Sequence, residues 1–174
     1  MTQEDVFFEW SDDYNINIPE IDEQHKQLVK MLNLLFSAIA RQEAGKVIAG
    51  ILDSLVEYTQ THFALEERLM QEADYKGIDH HKQEHKKLIE QLDHLTRKFM
   101  VENKPIYFEM LTFLRRWLRE HIIGCDIKYS SALQRTGFST ASWEQQAKAE
   151  FDAMAERKKQ WWQLQPDDPS GIPG

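Results

Sequence analysis

This chain lacks the marks of several large protein classes. It has one cysteine, Cys125, in 174 residues, so no intramolecular disulfide can form, and a reducing compartment fits. It has no excess of positive charge. With 21 Lys and Arg against 29 Asp and Glu, the formal net charge is −8, which argues against a general nucleic-acid binder. No apolar run approaches the roughly 18–20 residues of a membrane span. No extended period-2 run is bounded by hairpin turns, so strand signals are missing, and nothing repeats at solenoid periods. The opening, MTQEDVFFEW, has neither a basic n-region nor an apolar h-region, so no secretory signal is expected. The expected compartment is the cytoplasm.

What is present is helical period. The 41 % apolar content is enough to fill the core of one domain of this length. Residues 1–18 mix aromatic and polar side chains and read as an N-terminal arm, pinned by Phe7, Phe8 and Trp10. Pro19, Glu20, Asp22 and Glu23 suit a helix start. Ile21, His25, Leu28, Leu32, Leu35 and Ile39 then recur every three or four residues to about residue 42. Gly45 marks a turn. A second helix is expected over 46–72, with Ile48, Ile51, Leu52, Leu55, Tyr58, His62, Leu65, Glu66 and Leu69 inward. Gly77 breaks the chain again. Asp79 is expected to cap a third helix to about Val101, with His81, His85, Leu88, Ile89, Leu92, Leu95 and Phe99 inward. Pro105 opens a fourth, with Phe108, Leu111, Leu114, Leu118, His121 and Ile122 inward.

Four helices joined by short turns predict an all-α, up-down-up-down four-helix bundle. The domain expected is 1–134, followed by an extension over 135–174. In that extension Ser142, with Gln145, begins an amphipathic helix to about residue 164. Its stripe is Trp143, Ala147, Phe151, Met154 and Trp161 or Trp162. The end, QPDDPSGIPG, reads as a disordered tail.

The apolar stripes carry an unusual set of polar residues. They are His25, then His62 with Glu66, His81 with His85, and His121 with Asp126. Two pairs are i, i+4, which on a helix places side chains one turn apart on one face, about 5–6 Å between Cβ atoms. At 100° per residue His80 and His94 point away from His85 and are expected in solvent. His121 and Asp126 are i, i+5 and converge only if the helix tightens, bulges or ends near Gly124. Imidazoles among leucines are costly unless hydrogen-bonded or metal-bound. Imidazole and carboxylate suit iron, copper, zinc or nickel. Seven ligands are too many for one ion. Two ions sharing two bridging carboxylates would use them and leave one ion a ligand short.

The ordered pattern resembles the hemerythrin family, bacterial members included, over about residues 7–133. It runs His25, His62-x3-Glu66, His81-x3-His85, His121-x4-Asp126, with an arm ending in Trp10 before it. The resemblance implies a non-haem di-iron site with a bridging oxo or hydroxo group. It implies that His81, His85 and His121 bind one iron, that His25 and His62 bind the other, and that Glu66 and Asp126 bridge them. Dioxygen would be the ligand of the two-histidine iron, beside Leu28, Phe63, Trp117 and Leu118. The histidine-rich set resembles a reversible carrier, whereas di-iron oxygenases and ferritins use carboxylate-rich sets.

The expected function is therefore reversible dioxygen binding for carriage, storage or delivery, without a catalytic residue. The alternative is a sensor of oxygen, nitric oxide or redox state that signals through the C-terminal helix. That helix is read as packing on the bundle, forming a homo-oligomer, or contacting an output partner.

Overall fold

Pro19 occupies the first position of α1 (Pro19–Ala40), where its fixed φ suits a helix start and its missing N–H costs nothing. The structure, a computed structural model, describes residues 6–102 and 106–164, and among these the side chains of all but residues 100 and 158–164. Every regular element among the described residues is helical. After a short 3₁₀ turn at Asp12–Tyr14 and α1 come α2 (Gly45–Glu72), α3 (Ile78–Met100) and α4 (Tyr107–His121). A π-helical turn (Ile122–Asp126) leads without a break into α5 (Ile127–Thr136), and α6 (Ala141–Leu164) follows. Among the described residues no helix is long and apolar enough to cross a membrane.

The bundle is the expected one. α1 packs on α2 and α4, and α2 packs on α3. The stripes meet in one core, with Leu35, Leu52, Leu69 and Ile21 fully buried; truncating such a leucine to alanine costs about 2–5 kcal/mol. The third helix ends at Met100, with Val101 next, as expected.

Local details differ from expectation. Gly45 is the first residue of α2, and the left-handed turn before it falls on Gln42, at φ 55°. Asp79 caps nothing: Gly77 precedes α3, and Asp79 lies inside its first turn. The Tyr75 ring lies over Gly77, so a Cβ there would meet its far end at 2.6 Å and the ring would have to shift. Phe108 is 84 % exposed, not inward. It lies thirteen residues before His121, which at 100° per residue is about 140° away around the helix. Met110 and Phe113 take the buried places instead. Thr140, not Ser142, engages the start of α6, through its hydroxyl on the Glu144 carboxylate. Pro105 and the tail 165–174 lie outside the described residues, as do the Trp161 and Trp162 side chains.

The arm is held as the aromatic pattern suggested. Phe8 is buried, Phe7 stacks on Phe36, and Trp10 lies beside His25 and Tyr14. Asp22 locks the arm onto α1, accepting from the Ile16 and Asn17 amides at 2.7 and 3.1 Å. Further along, α6 lays Trp143, Ala147 and Met154 against the bundle, all buried, and stacks Phe151 on Tyr58. The Trp143 indole donates to the Leu65 carbonyl at 2.9 Å, and Arg68 pairs with Glu150 at 2.6 Å. These contacts run along the back of α2 over residues 58–68.

Candidate metal centre

His25 lies near the start of α1, His62 and Glu66 near the end of α2, His81 and His85 at the start of α3, and His121 at the end of α4. They can meet only if successive helices run in opposite directions, and they do meet. With Asp126 they form one buried cluster, no member more than 4 % exposed. Asp126 reaches it through the π-helical turn, whose i→i+5 bonding brings residues five apart onto one face. Gly124 is not the sterically necessary element of that turn, since a Cβ there would meet nothing within 4 Å. His80 and His94 are exposed.

The ligand-type atoms form two groups. In the first, Nε2 of His81 lies 3.0 Å from Nε2 of His85, which lies 3.1 Å from Nε2 of His121, with Glu66 close by. Adjacent donors about 2.1 Å from one ion and at right angles stand about 3.0 Å apart. Three imidazole nitrogens converging at that spacing repel unless a proton or a metal cation sits among them. The second group is His25, His62 and Glu66. Both carboxylates face both groups. Glu66 Oε2 lies 3.4 Å from His62 and 3.3 Å from His85. Asp126 Oδ2 lies 3.3 Å from His25, and Oδ1 lies 3.3 and 3.1 Å from His81 and His121.

The residues fit a metal pair on a physical criterion. Both His25 ring nitrogens, Glu66 Oε2 and both Asp126 oxygens are buried without a properly directed hydrogen bond. Several are near a partner but misaligned for donation. Leaving that many buried polar atoms unpaired costs about 1–3 kcal/mol each, and cations would satisfy the carboxylate oxygens and the Nε2 of His25 together.

Three further residues hold the set, and helical spacing alone does not reveal them. His62 Nδ1 donates to Gln24 Oε1 at 2.8 Å, and Gln24 Nε2 donates to Glu20 at 3.0 Å. His85 Nδ1 donates to Glu67 Oε1 at 3.0 Å. The buried Tyr129 hydroxyl donates to Glu66 Oε1 at 2.7 Å. Such contacts fix ring orientation and leave Nε2 free to ligate. The available signal was adjacency: Gln24 precedes His25, Glu67 follows Glu66, and Tyr129 lies one turn beyond Asp126.

Aromatic rings wall the cluster. Phe63 stacks on His85 with centroids 3.7 Å apart, and Trp117 stacks on His121 at 4.7 Å. Leu28, Trp117 and Leu118 line a small apolar cavity of about 20 Å³ together with Leu32, Leu55, Thr59, Leu88, Leu92 and Leu114. Phe63 is not part of that lining.

Electrostatics set the proton inventory of the metal-free cluster. Burial dominates at His62 and overrides the attraction of Glu66, lowering its pKa to about 3. Burial also opposes the charge on His121, but Asp126, Cys125 and Glu66 outweigh it and raise the pKa to about 10. Burial and Glu66 push Asp126 upward, yet His121 and His25 bring it down to about 2. The raised His121 contributes stability fully below about pH 6.5, lost as pH rises towards 10. The lowered His62 contributes above about 6.5, lost as pH falls towards 3. Each slope is at most about 1.4 kcal/mol per pH unit. The metal-free protein should therefore melt highest near pH 6.5, and metal uptake at neutral pH should release the His121 proton. Thermal melts from pH 5 to 9 and loading calorimetry in two buffers check this. A melting temperature rising steadily through that range, with no proton released, would sink it.

The chain is similar to known proteins. A family model described as "Hemerythrin HHE cation binding domain" matches residues 17–124. The chain is 38 % identical over 125 residues to a bacteriohemerythrin of Stenotrophomonas maltophilia, covering 72 % of this chain and 80 % of that protein. It is 28 % identical over 124 residues to a myohemerythrin of Riftia pachyptila, covering 71 % and 92 %. Among solved structures, a wild-type hemerythrin superposes with a TM-score of 0.67 at 31 % identity, covering 72 % of this chain and 97 % of that one.

Proposed function

The chain belongs to the hemerythrin family, and on that premise we propose that it binds dioxygen reversibly at a non-haem di-iron site, for carriage, storage or delivery. The observation that carries this reading is the buried cluster itself. Five imidazoles and two carboxylates fall into two groups that share Glu66, with Asp126 in contact with both. His81, His85 and His121 would hold one iron and His25 and His62 the other, with Glu66 and Asp126 spanning them. When bound, the iron pair supplies electrons to dioxygen and takes them back on release.

The remaining work belongs to the protein's own side chains. Gln24 and Glu67 orient His62 and His85. Tyr129 holds one oxygen of Glu66 and leaves the other turned to the histidines. Phe63, Trp117 and the leucines around the cavity exclude water and so slow oxidation of the irons. The cavity lining is apolar except for Thr59, whose hydroxyl already donates to the Leu55 carbonyl at 2.7 Å. A pocket of that chemistry suits holding a small apolar gas more than turning over a polar substrate. Loading the reduced protein anaerobically and measuring metal and gas uptake tests the proposal. About two irons and about one dioxygen per chain are expected, as for a di-iron bundle with one open position. One metal per chain, or zinc taken up in preference to iron, would overturn it.

One observation favours sensing as the second reading. α6 is seated on the back of the α2 segment that carries His62 and Glu66, through Leu65, Thr61 and Tyr58. A shift of that segment on ligand binding would reach α6 directly.

A further inference from the structure

We infer that the structure assigns Glu67 and Gln24 opposite roles, as positioning residues that separate the reduction potentials of the two irons. The inference rests on the di-iron reading above. The two histidines anchored by side chains belong to different metal groups and lean on different acceptors. His85 sits in the three-histidine group, and its Nδ1 hydrogen bonds to a carboxylate, Glu67, at 3.0 Å. His62 sits in the two-histidine group, and its Nδ1 hydrogen bonds to a neutral amide, Gln24, at 2.8 Å. The Gln24 amide is not free to turn, because Glu20 accepts from its other end at 3.0 Å. Gln24 therefore presents its carbonyl oxygen to His62.

The difference matters because the acceptor sets how much negative charge the imidazole carries. A carboxylate drawing on Nδ1–H makes Nε2 a stronger donor and favours the more positive ion, whereas an amide does less. Charge adds to this effect. Glu67 is a full negative charge beside the three-histidine group, only partly offset by Lys82, which stays 3.9 Å from it and is itself half exposed. Gln24 is uncharged and buried, so no charge reaches His62 through its Nδ1 hydrogen bond; the shared Glu66 and Asp126 act on both groups, and the buried Asp22 near His25 is engaged by the Ile16 and Asn17 amides. The three-histidine iron is thus held in its oxidised form more strongly, and the two-histidine iron takes the first electron. By the resemblance above, that second iron is the one with the open position. Each ion gains one electron and no covalent bond is made or broken.

The test is a spectroelectrochemical titration of the iron-loaded full chain, with soluble mediators as the electron source. Glu67→Gln keeps the shape and the hydrogen bond but removes the charge. It should shift the lower of the two one-electron steps upward by about tenfold in its equilibrium, which is about 59 mV, and leave the upper step nearly in place. Gln24→Glu, made together with Glu20→Gln so that an amide faces the new carboxylate, should shift the upper step downward by a similar factor and draw the two steps together. A merely structural role for either residue would alter iron content or melting temperature and leave the potentials of the loaded protein alone. Unchanged potentials in both variants at full iron loading would overturn the inference. So would equal shifts of both steps in each variant. If the wild-type chain itself fails to hold two irons, the di-iron reading falls first, and that result is told apart by metal analysis before any variant is made.

Discussion

Replacing Glu66 with alanine should abolish the paired metal site. Glu66 is fully buried and, like Asp126, faces both histidine groups. A methyl group there supplies no ligand to either ion and no negative charge against the cations. It also takes from the buried Tyr129 hydroxyl the acceptor that Glu66 provides, at a cost of about 1–3 kcal/mol. Iron content should fall by at least half, and the absorption that arises from coupled, bridged irons should vanish. His80→Ala and His94→Ala are the matched controls, since both side chains are exposed and outside the cluster. Metal analysis and an optical spectrum of the three variants decide the matter. Normal iron and normal bands in Glu66→Ala, or loss of iron in either control, would show that the residues have been placed wrongly.

A comparably large effect is expected at the other face of α2. Trp143 is 1 % exposed and donates to the Leu65 carbonyl. Trp143→Ala removes its buried area and leaves a cavity, at about 3–5 kcal/mol. For a chain of this size that lowers the melting temperature by roughly 6–20 °C. Truncation after Arg135 should do at least as much, because it also removes Ala147, Phe151 and Met154. Neither change touches a ligand, as all seven precede α6, so iron content should hold at temperatures where the protein stays folded. A shift of less than about 2 °C for Trp143→Ala would deny α6 its packing role. Loss of iron from a folded truncated chain would mean that α6 supports the centre itself.

The bundle and six of the seven clustered residues are legible in the sequence for one reason: each lies on a stripe whose period is that of its own helix. Within one helix, phase is arithmetic, so His81 and His85 could be paired while His80 and His94 were set aside. Apolar character alone puts Phe108 inward with the leucines, and the same arithmetic removes it, because it lies about 140° from the direction of His121. The π-helical turn was legible only as a requirement, since His121 and Asp126 cannot converge on a regular helix. That requirement named Gly124 as its cause, yet the turn leaves room there for a side chain. Gln24, Glu67 and Tyr129 were not legible. Their roles depend on how neighbouring helices are rotated and how α5 continues beyond the turn, and no period within a single helix encodes that. The assignment of ions to histidines came from family resemblance and not from spacing. The two geometric groups, His81, His85 and His121 with Glu66 and His25 and His62 with Glu66, support the same division.

The most direct measurement is the optical spectrum of the iron-loaded, reduced protein taken anaerobically, after admitting dioxygen, and again after purging with argon. Reversible dioxygen binding predicts a near-colourless reduced form, a strong visible band on exposure to dioxygen, and return to the first spectrum on purging, over repeated cycles. A spectrum that never responds to dioxygen, or one that changes once to an oxidised form and does not return on purging, would contradict it.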